Sequence, residues 1–343
     1  MSGWSAADPI PRRPPVPVRA DPTLSGVLGE LTAGSGRSWA AAVVDLRLEP
    51  AVRMAWVGCD PGKRFEIGSI SKALTGMLGA QLIAEQAVTM QTSVGRLLPA
   101  LAGSALAAVT VAELVTHTSG LPRLGTSWRS TIRVVLGVLT GADPYRCPTV
   151  AAVLRSAAGQ PLRGRGGYSY SNLGGAVLGQ ALAAAAGMSY ELLLHDRLLG
   201  PLAMTDTGVG TPDRCAAPGW SRQGRRQQPW LLGGYAPAGG VVATIGDMTR
   251  LLVGLLDGSA PGIRALDPVL DLGAVRAGRS SGLFWVIDQP GDGAEALTWH
   301  NGQTGGYSAF IGLHRAAWSG VVVLADTADA ARIGRLARQL APE

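Results

Sequence analysis

Runs with strand character stand near the two ends of this 343-residue chain, and the sequence between them is patterned as helix. A strand must bury its apolar face against another element, so this separation constrains the fold more than any other feature. Near the start, Trp39 to Leu46 and Ala51 to Gly58 are apolar or β-branched runs joined by a short polar link, the pattern of an antiparallel hairpin. Near the end, strands are predicted at Gly282–Ile287, Leu297–His300, Tyr307–Leu313 and Gly320–Ala325, before a closing arginine-bearing helix from about Ala328. From Ser69 to about Gln86, Ile70, Leu74, Met77, Leu78, Leu82 and Ile83 recur at helical spacing. Further helix signals follow to Leu256: a Thr110-to-Glu113 capping box, then starts near Thr149, Asn172, Ser189 and Asp247. The two ends are expected to share one sheet, with a helical region inserted between its parts.

Apolar residues make up 47% of the chain and charged residues 16%, which excludes an intrinsically disordered chain and provides for a large core. The net charge is +6, yet the basic residues are scattered without a run of five, so neither a nucleic-acid nor a membrane role is expected. Arg214, Arg222, Arg225 and Arg226 lie in a Gly/Pro-interrupted stretch that reads as an exposed loop, with selection of an anionic substrate as the sharper reading. The first residues carry Arg12, Arg13 and five prolines between Pro9 and Pro17, without the apolar stretch of a secretory signal. Leu173 to Tyr190 is uncharged and rich in Ala and Gly, and reads as a buried helix. Cys59, Cys147 and Cys215 are odd in number and far apart, the usage of reduced thiols in a cytoplasm, which is the expected location. With four scattered histidines and no CxxC or HxxxH, neither a metal nor a cofactor is expected.

Three short constellations carry the chemistry. In Gly68-Ser69-Ile70-Ser71-Lys72, the spacing of three puts Ser69 and Lys72 on one helix face, where an amine reaches a hydroxyl. Read alone, the same pattern fits a capping serine followed by an exposed lysine. Of the 30 Lys and Arg residues only Lys63 and Lys72 are lysine, and lysine, unlike arginine, can be made neutral by burial. The second constellation is Tyr170-Ser171-Asn172, before an Ala/Gly-rich helix, with Tyr168 as a competing phenol. The third, His300-Asn301-Gly302-Gln303, ends a predicted strand whose glycine lets a ligand approach the backbone. His117, in Thr116-His117-Thr118-Ser119-Gly120-Leu121-Pro122, is a further candidate base. Trp128, Trp220, Trp230 and Trp285 are candidate pocket walls, with core packing as the default for each.

These elements, in this order, resemble the serine β-lactamase and penicillin-binding-protein superfamily, especially its class C and esterase branch. The likeness extends over Leu114 to Pro122, Gly200 to Thr207 and Ala238 to Thr244, and so covers most of the chain. It implies an α+β fold: an antiparallel β-sheet flanked by terminal helices beside an inserted all-helical lobe. In this chain residues 1–24 would be a Pro/Arg-rich tail, with an α/β lobe of about 25–70 and 258–343 and a helical lobe of about 71–257. The resemblance implies that Ser69 is acylated, that Lys72 and Tyr170 shuttle its proton, and that the N–H groups of Ser69 and Gln303 hold the oxyanion. It places Asn172 on the acyl side of the substrate and His300, Asn301 and Gly302 along the third wall. The family's lactamases have Lys-Thr/Ser-Gly where this chain has His300-Asn301-Gly302, so efficient β-lactam turnover is not expected.

The expected function is thus a cytoplasmic serine hydrolase or acyl-transfer enzyme acting on a small ester or amide. A transacylase passing the acyl group to an amine acceptor in a biosynthetic pathway is the alternative. A D-aminopeptidase-type hydrolase and a ligand-binding protein that kept the fold without the chemistry stand behind both.

Overall fold

Strand β1 (Trp39–Asp45) is buried along its whole length, because its alternate side chains enter two different cores. Trp39, Ala41 and Val43 face a layer formed by helix α1 (Pro22–Thr32) with a helix from the opposite end of the chain, α7 (Ala330–Leu340). Ala40, Ala42 and Val44 face the main core. A strand covered on both sides has no solvent face to mark with polar residues, which is why the segment reads as an unbroken apolar run. The structure, a computed structural model, describes residues 19–125, 137, 140–291, 293 and 295–341. Trp128 and the tail to residue 18 lie outside the described residues.

β1 pairs antiparallel with β2 (Val52–Val57) and with the last strand, β13 (Ser319–Ala325), setting Ala40 opposite Leu324 and Val43 opposite Val321. The sheet continues through β12 (Ser308–His314), β11 (Leu297–Gln303), β10 (Val286–Asp288), β9 (Arg279–Ser281) and β8 (Leu270–Asp271), in the order β2-β1-β13-β12-β11-β10-β9-β8. The two ends of the chain therefore share one antiparallel sheet, flanked by the terminal helices. Of the strand expected over Gly282–Ile287 only Val286 and Ile287 are extended, in β10, because residues 282–285 form the turn that joins β9 to β10, with Phe284 in the left-handed region at φ +64.

Helix α2 (Ile70–Ala84) touches β11 and β12 on one side and the central helix of the inserted region on the other. That central helix, α5 (Asn172–Ala185), also contacts α3 (Val111–Val115) and α4 (Val150–Ala158). Thr110 and Glu113 close a reciprocal capping box at the start of α3. The helix expected over Leu173–Tyr190 stops at Ala185, where Gly187 turns the chain at φ +69 and a new helix begins at Tyr190. Among the described residues no single helix is long and apolar enough to cross a membrane.

Three features depart from an all-helical insert, the first a two-stranded ribbon of β5 (Gly219–Trp220) and β6 (Arg226–Gln227). A three-stranded sheet, β3 (Phe65–Glu66), β7 (Val241–Ala243) and β4 (Gly208–Val209), crosses its base in the order β3-β7-β4. Its strands are two or three residues long, too short to establish a period of two in sequence. Helix α6 (Ile245–Leu256), placed by sequence in the helical lobe, packs on β1 and β13 and covers the inner face of the large sheet. A single core runs from that face through α2 into α5, so the seam between sheet and helices is continuous with the interior of both.

Candidate active site

The seam closes where the end of β11 meets the start of α2, and glycines permit the contact. Gly68 sits at φ +51, and a Cβ there would lie 2.6 Å from the backbone N of Gln303. A Cβ on Gly302 would run into the carbonyl of Ile67 and sit 3.0 Å from the N of Ser69. The backbones of Ser69 and Gln303 are thus brought against each other with no side chain between them. Ser69 opens α2 with helical φ −65 and ψ −8, so no preceding helical turn receives its N–H.

Three side chains meet at the Ser69 hydroxyl. Lys72 Nζ lies 3.1 Å from Oγ and donates to the carbonyl of Ala238 at 2.5 Å, in the helical turn Ala236–Gly239. The Tyr170 hydroxyl donates to the same Oγ at 2.7 Å, and Nζ stands 4.9 Å from the centre of its ring. Lys72 has no exposed surface. It is enclosed because α5 is glycine-faced there: a Cβ on Gly175 would press on the Lys72 side chain at 3.2 Å. Burial holds the Lys72 amine well below the usual lysine range, and the positive charge of Arg123 adds to the effect. Burial pushes the Tyr170 phenol up, against smaller opposing effects of its bond to Ser69 and of Arg123. The amine is biased toward its uncharged form and the phenol toward its protonated form. Ser69 Oγ then accepts from Tyr170 and can direct its own proton to the lone pair of Lys72.

Tyr170 is aimed by His117, whose backbone sits in the left-handed region at φ +60. The His117 carbonyl accepts from the N–H of Ser169 at 2.8 Å and its Nδ1 from the N–H of Ser171 at 3.2 Å, holding the residue on each side of Tyr170. The His117 ring packs against Tyr170 and Phe284, with centroids 4.5 and 4.9 Å apart. The sequence reading of His117 as a candidate base is therefore replaced by a positioning role, since its Nδ1 lone pair is occupied and its ring is buried. Tyr168 meets His117 edge-on at 6.0 Å, and the phenol on Ser69 belongs to Tyr170.

Asn172 begins α5, its N–H donating to the Arg123 carbonyl at 3.0 Å. Its Oδ1 is buried with no hydrogen-bond donor among the described residues, an acceptor that a ligand N–H would satisfy. His300 points inward from β11, Nδ1 2.7 Å from the carbonyl of Asn301, which assigns the ring proton to Nδ1. Burial, with the nearby Lys72 as a lesser cause, lowers its pKa to about 3, so it is neutral at physiological pH. Asn301 points outward and lines, with Ser69, Arg123, Tyr170, Gln303 and Ala330, a cleft of about 270 Å³. Of the site residues named from sequence, Ser69, Tyr170, Asn301 and Gln303 line this cleft, and Lys72 reaches Ser69 from the buried side.

Other expectations divide. Trp230 lines a neighbouring cleft of about 440 Å³ with Gln227, Thr304 and Gly305, whereas Trp285 is core and Trp220 lies between the guanidinium groups of Arg37 and Arg226. Of the arginine loop, Arg214 pairs with Glu191 at 3.5 Å, and Arg222 and Arg225 line the larger cleft. Arg123, which sequence reasoning passed over, faces the nucleophile. Its signal was its place directly behind Gly120-Leu121-Pro122, in the segment that carries His117. Among the described residues no group of three or more His, Cys, Asp and Glu is placed to hold a metal ion.

Replacing Gly302 with alanine forces β11 off the Ser69 turn. Labelling of Ser69 by a fluorophosphonate reagent is expected to slow by about 100-fold or more, the scale of losing one oxyanion donor, while the circular dichroism of the fold persists. Labelling at the wild-type rate would show that the contact is unimportant to the site.

A family model described as Beta-lactamase matches residues 29–341. Among curated proteins the chain is 25% identical over 268 residues to the D-alanyl-D-alanine-carboxypeptidase/endopeptidase AmpH of Escherichia coli strain K12, covering 72% of this chain and 66% of that protein. The chain thus spans just under two thirds of that relative. It is 28% identical over 192 residues to a Beta-lactamase of the same strain, covering 54% of this chain and 46% of the relative. Among solved structures, a class C beta-lactamase superposes with a TM-score of 0.76 at 18% identity, over 93% of this chain and 94% of that one. A D-stereospecific amidohydrolase from Streptomyces sp. gives 0.73 at 18% identity, over 90% and 96%. With the family model matching nearly the whole chain, the chain belongs to the beta-lactamase family.

Proposed function

We propose that this protein is a serine hydrolase that forms an acyl-enzyme on Ser69 from a small ester or amide. The observation that carries the reading is the convergence of a buried amine and a phenol on one serine hydroxyl, at 3.1 and 2.7 Å. Lys72 takes the hydroxyl proton as Oγ attacks the carbonyl. The resulting oxyanion is received by the N–H groups of Ser69 and Gln303. Tyr170 gives its proton to the leaving oxygen or nitrogen, and transfer from the Lys72 ammonium to the phenolate restores both groups. Water then resolves the acyl-enzyme by the reverse order of proton transfers. Asn172 Oδ1, the buried acceptor left open, takes an N–H on the acyl side of the substrate.

Relatives named as a D-alanyl-D-alanine carboxypeptidase and a D-stereospecific amidohydrolase support amide as well as ester cleavage. The neutral His300, where the family's lactamases carry a lysine, supports a substrate other than a β-lactam. An amine in place of water would make the same acyl-enzyme a transacylase intermediate. The unpaired Cys59, Cys147 and Cys215 support a reducing, cytoplasmic location.

Intact-protein mass after rapid quenching with an activated ester is expected to show an acyl adduct in the wild type and none in Ser69→Ala. An adduct of equal yield in the variant would overturn the assignment. Faster decay of the adduct with added amine, with amide as product, would favour the transfer reading over hydrolysis. The rate of acylation is also expected to fall as pH drops through the depressed pKa of Lys72, because only the neutral amine accepts a proton. His300→Asn should leave that acid limb at the same pH, and a limb that moves or vanishes would assign the base to the histidine instead.

A further inference from the structure

Resting on the acyl-enzyme reading, we infer that Arg123 is a specificity residue and that the preferred acyl donor carries a carboxylate seated on its guanidinium, beside Tyr170. Among the described residues Arg123 is the only charged one lining the cleft that exposes Ser69. Its backbone is fixed, the carbonyl accepting from the N–H groups of Asn172 and Leu173 at 3.0 and 3.3 Å. From that anchor its side chain is exposed to the cleft and lies over the Tyr170 ring, 5.2 Å from its centre. Among the described residues it takes part in no ion pair.

A cation anchored next to the nucleophile, paired with no anion among the described residues, is built for an anion from outside. The planar fork of arginine matches a carboxylate with two parallel hydrogen bonds. The opposite wall offers no rival: His300 is buried and neutral, and Asn301 and Gln303 are uncharged. The field at the mouth has the same sign. The adjoining cleft, which shares Asn301 and Ala330, is lined by Arg276, Arg279 and Arg338 against one carboxylate, Asp288. Asp288 is taken by Arg279 at 2.6 and 2.9 Å and by the Trp299 indole N–H at 3.0 Å. An approaching carboxylate therefore meets positive potential and, on the cleft wall beside Tyr170, one guanidinium outside any ion pair among the described residues.

The test compares 4-nitrophenyl hydrogen glutarate with 4-nitrophenyl valerate, which differ in the terminal carboxylate. The wild type is expected to prefer the glutarate in kcat/KM. In Arg123→Gln that preference should fall about 10- to 100-fold, the loss typical of a charge-assisted pair, mainly through KM, and Arg123→Lys should retain part of it. Equal kcat/KM for the two esters in the wild type, or an unchanged preference in Arg123→Gln, would overturn the inference. A calorimetric arm separates this outcome from a failure of the acyl-enzyme reading, because it needs no reaction. Glutaric acid monoanilide is expected to bind Ser69→Ala at least tenfold more tightly than Ser69→Ala/Arg123→Gln. Equal affinity, or no binding to either, would refute the Arg123 site even if Ser69 is the nucleophile.

Discussion

The amine of Lys72 is enclosed by α2, α5 and the turn Ala236–Gly239, and two oxygens lie within its reach, the Ala238 carbonyl and the Ser69 hydroxyl. An ammonium ion there would give up its water for one carbonyl and one hydroxyl, with the charge of Arg123 opposing it, so burial favours the neutral form. Much of the architecture serves that enclosure. Gly175 lets α5 press against the lysine stem, and the Ser171 side chain caps α5 at the N–H of Gly174, which keeps Tyr170 and Asn172 at the helix entrance. Placed on the solvent side of α2, the same amine would be an ordinary charged lysine.

The second requirement is that two distant parts of the chain meet backbone to backbone. β11 belongs to the large sheet and α2 leads into the helices, and the glycines at 68 and 302 let Ser69 and Gln303 share one small volume. Local strain collects at this seam. His117 and Phe284 both occupy the left-handed region, and their rings pack together 4.9 Å apart beside Tyr170. Conformations of this kind cost on the order of 1–3 kcal/mol each and persist where surrounding contacts over-determine them. Here they hold the phenol on its serine from one side while the sheet holds the backbone of Gln303 against Ser69 from the other.

Sequence periodicity and composition were sufficient for the sheet built from both chain ends, for α2 and α5, and for the three short constellations, because each depends on spacing within one element. Ser69 and Lys72 are one helical turn apart, and that relation survives any packing. The scarcity of lysine singled out Lys72 before its burial was known. What escaped depends on contacts between elements. Tyr168 and Tyr170 are equivalent as letters, and only the clamp of His117 on Ser169 and Ser171 separates them. His117 looked like a base because its partner is a backbone N–H, which leaves no trace in sequence. The strands of the small sheet are shorter than any period, and Arg123 is one arginine among many until its guanidinium is found over Tyr170.

The central claim is that Lys72 is neutral at physiological pH, and the chain's composition makes it directly measurable. Protein labelled with 13C at the lysine ε-carbon has two such positions, Lys63 and Lys72. Lys63 is paired with Asp326 at 2.7 Å, and Lys72→Arg assigns the other signal. The account predicts that the Lys72 resonance has the chemical shift of a free amine at pH 7.5 and takes up a proton only on acidification. A Lys72 resonance with the shift of an ammonium at pH 7.5, losing its proton only on strong alkalinisation, would contradict it.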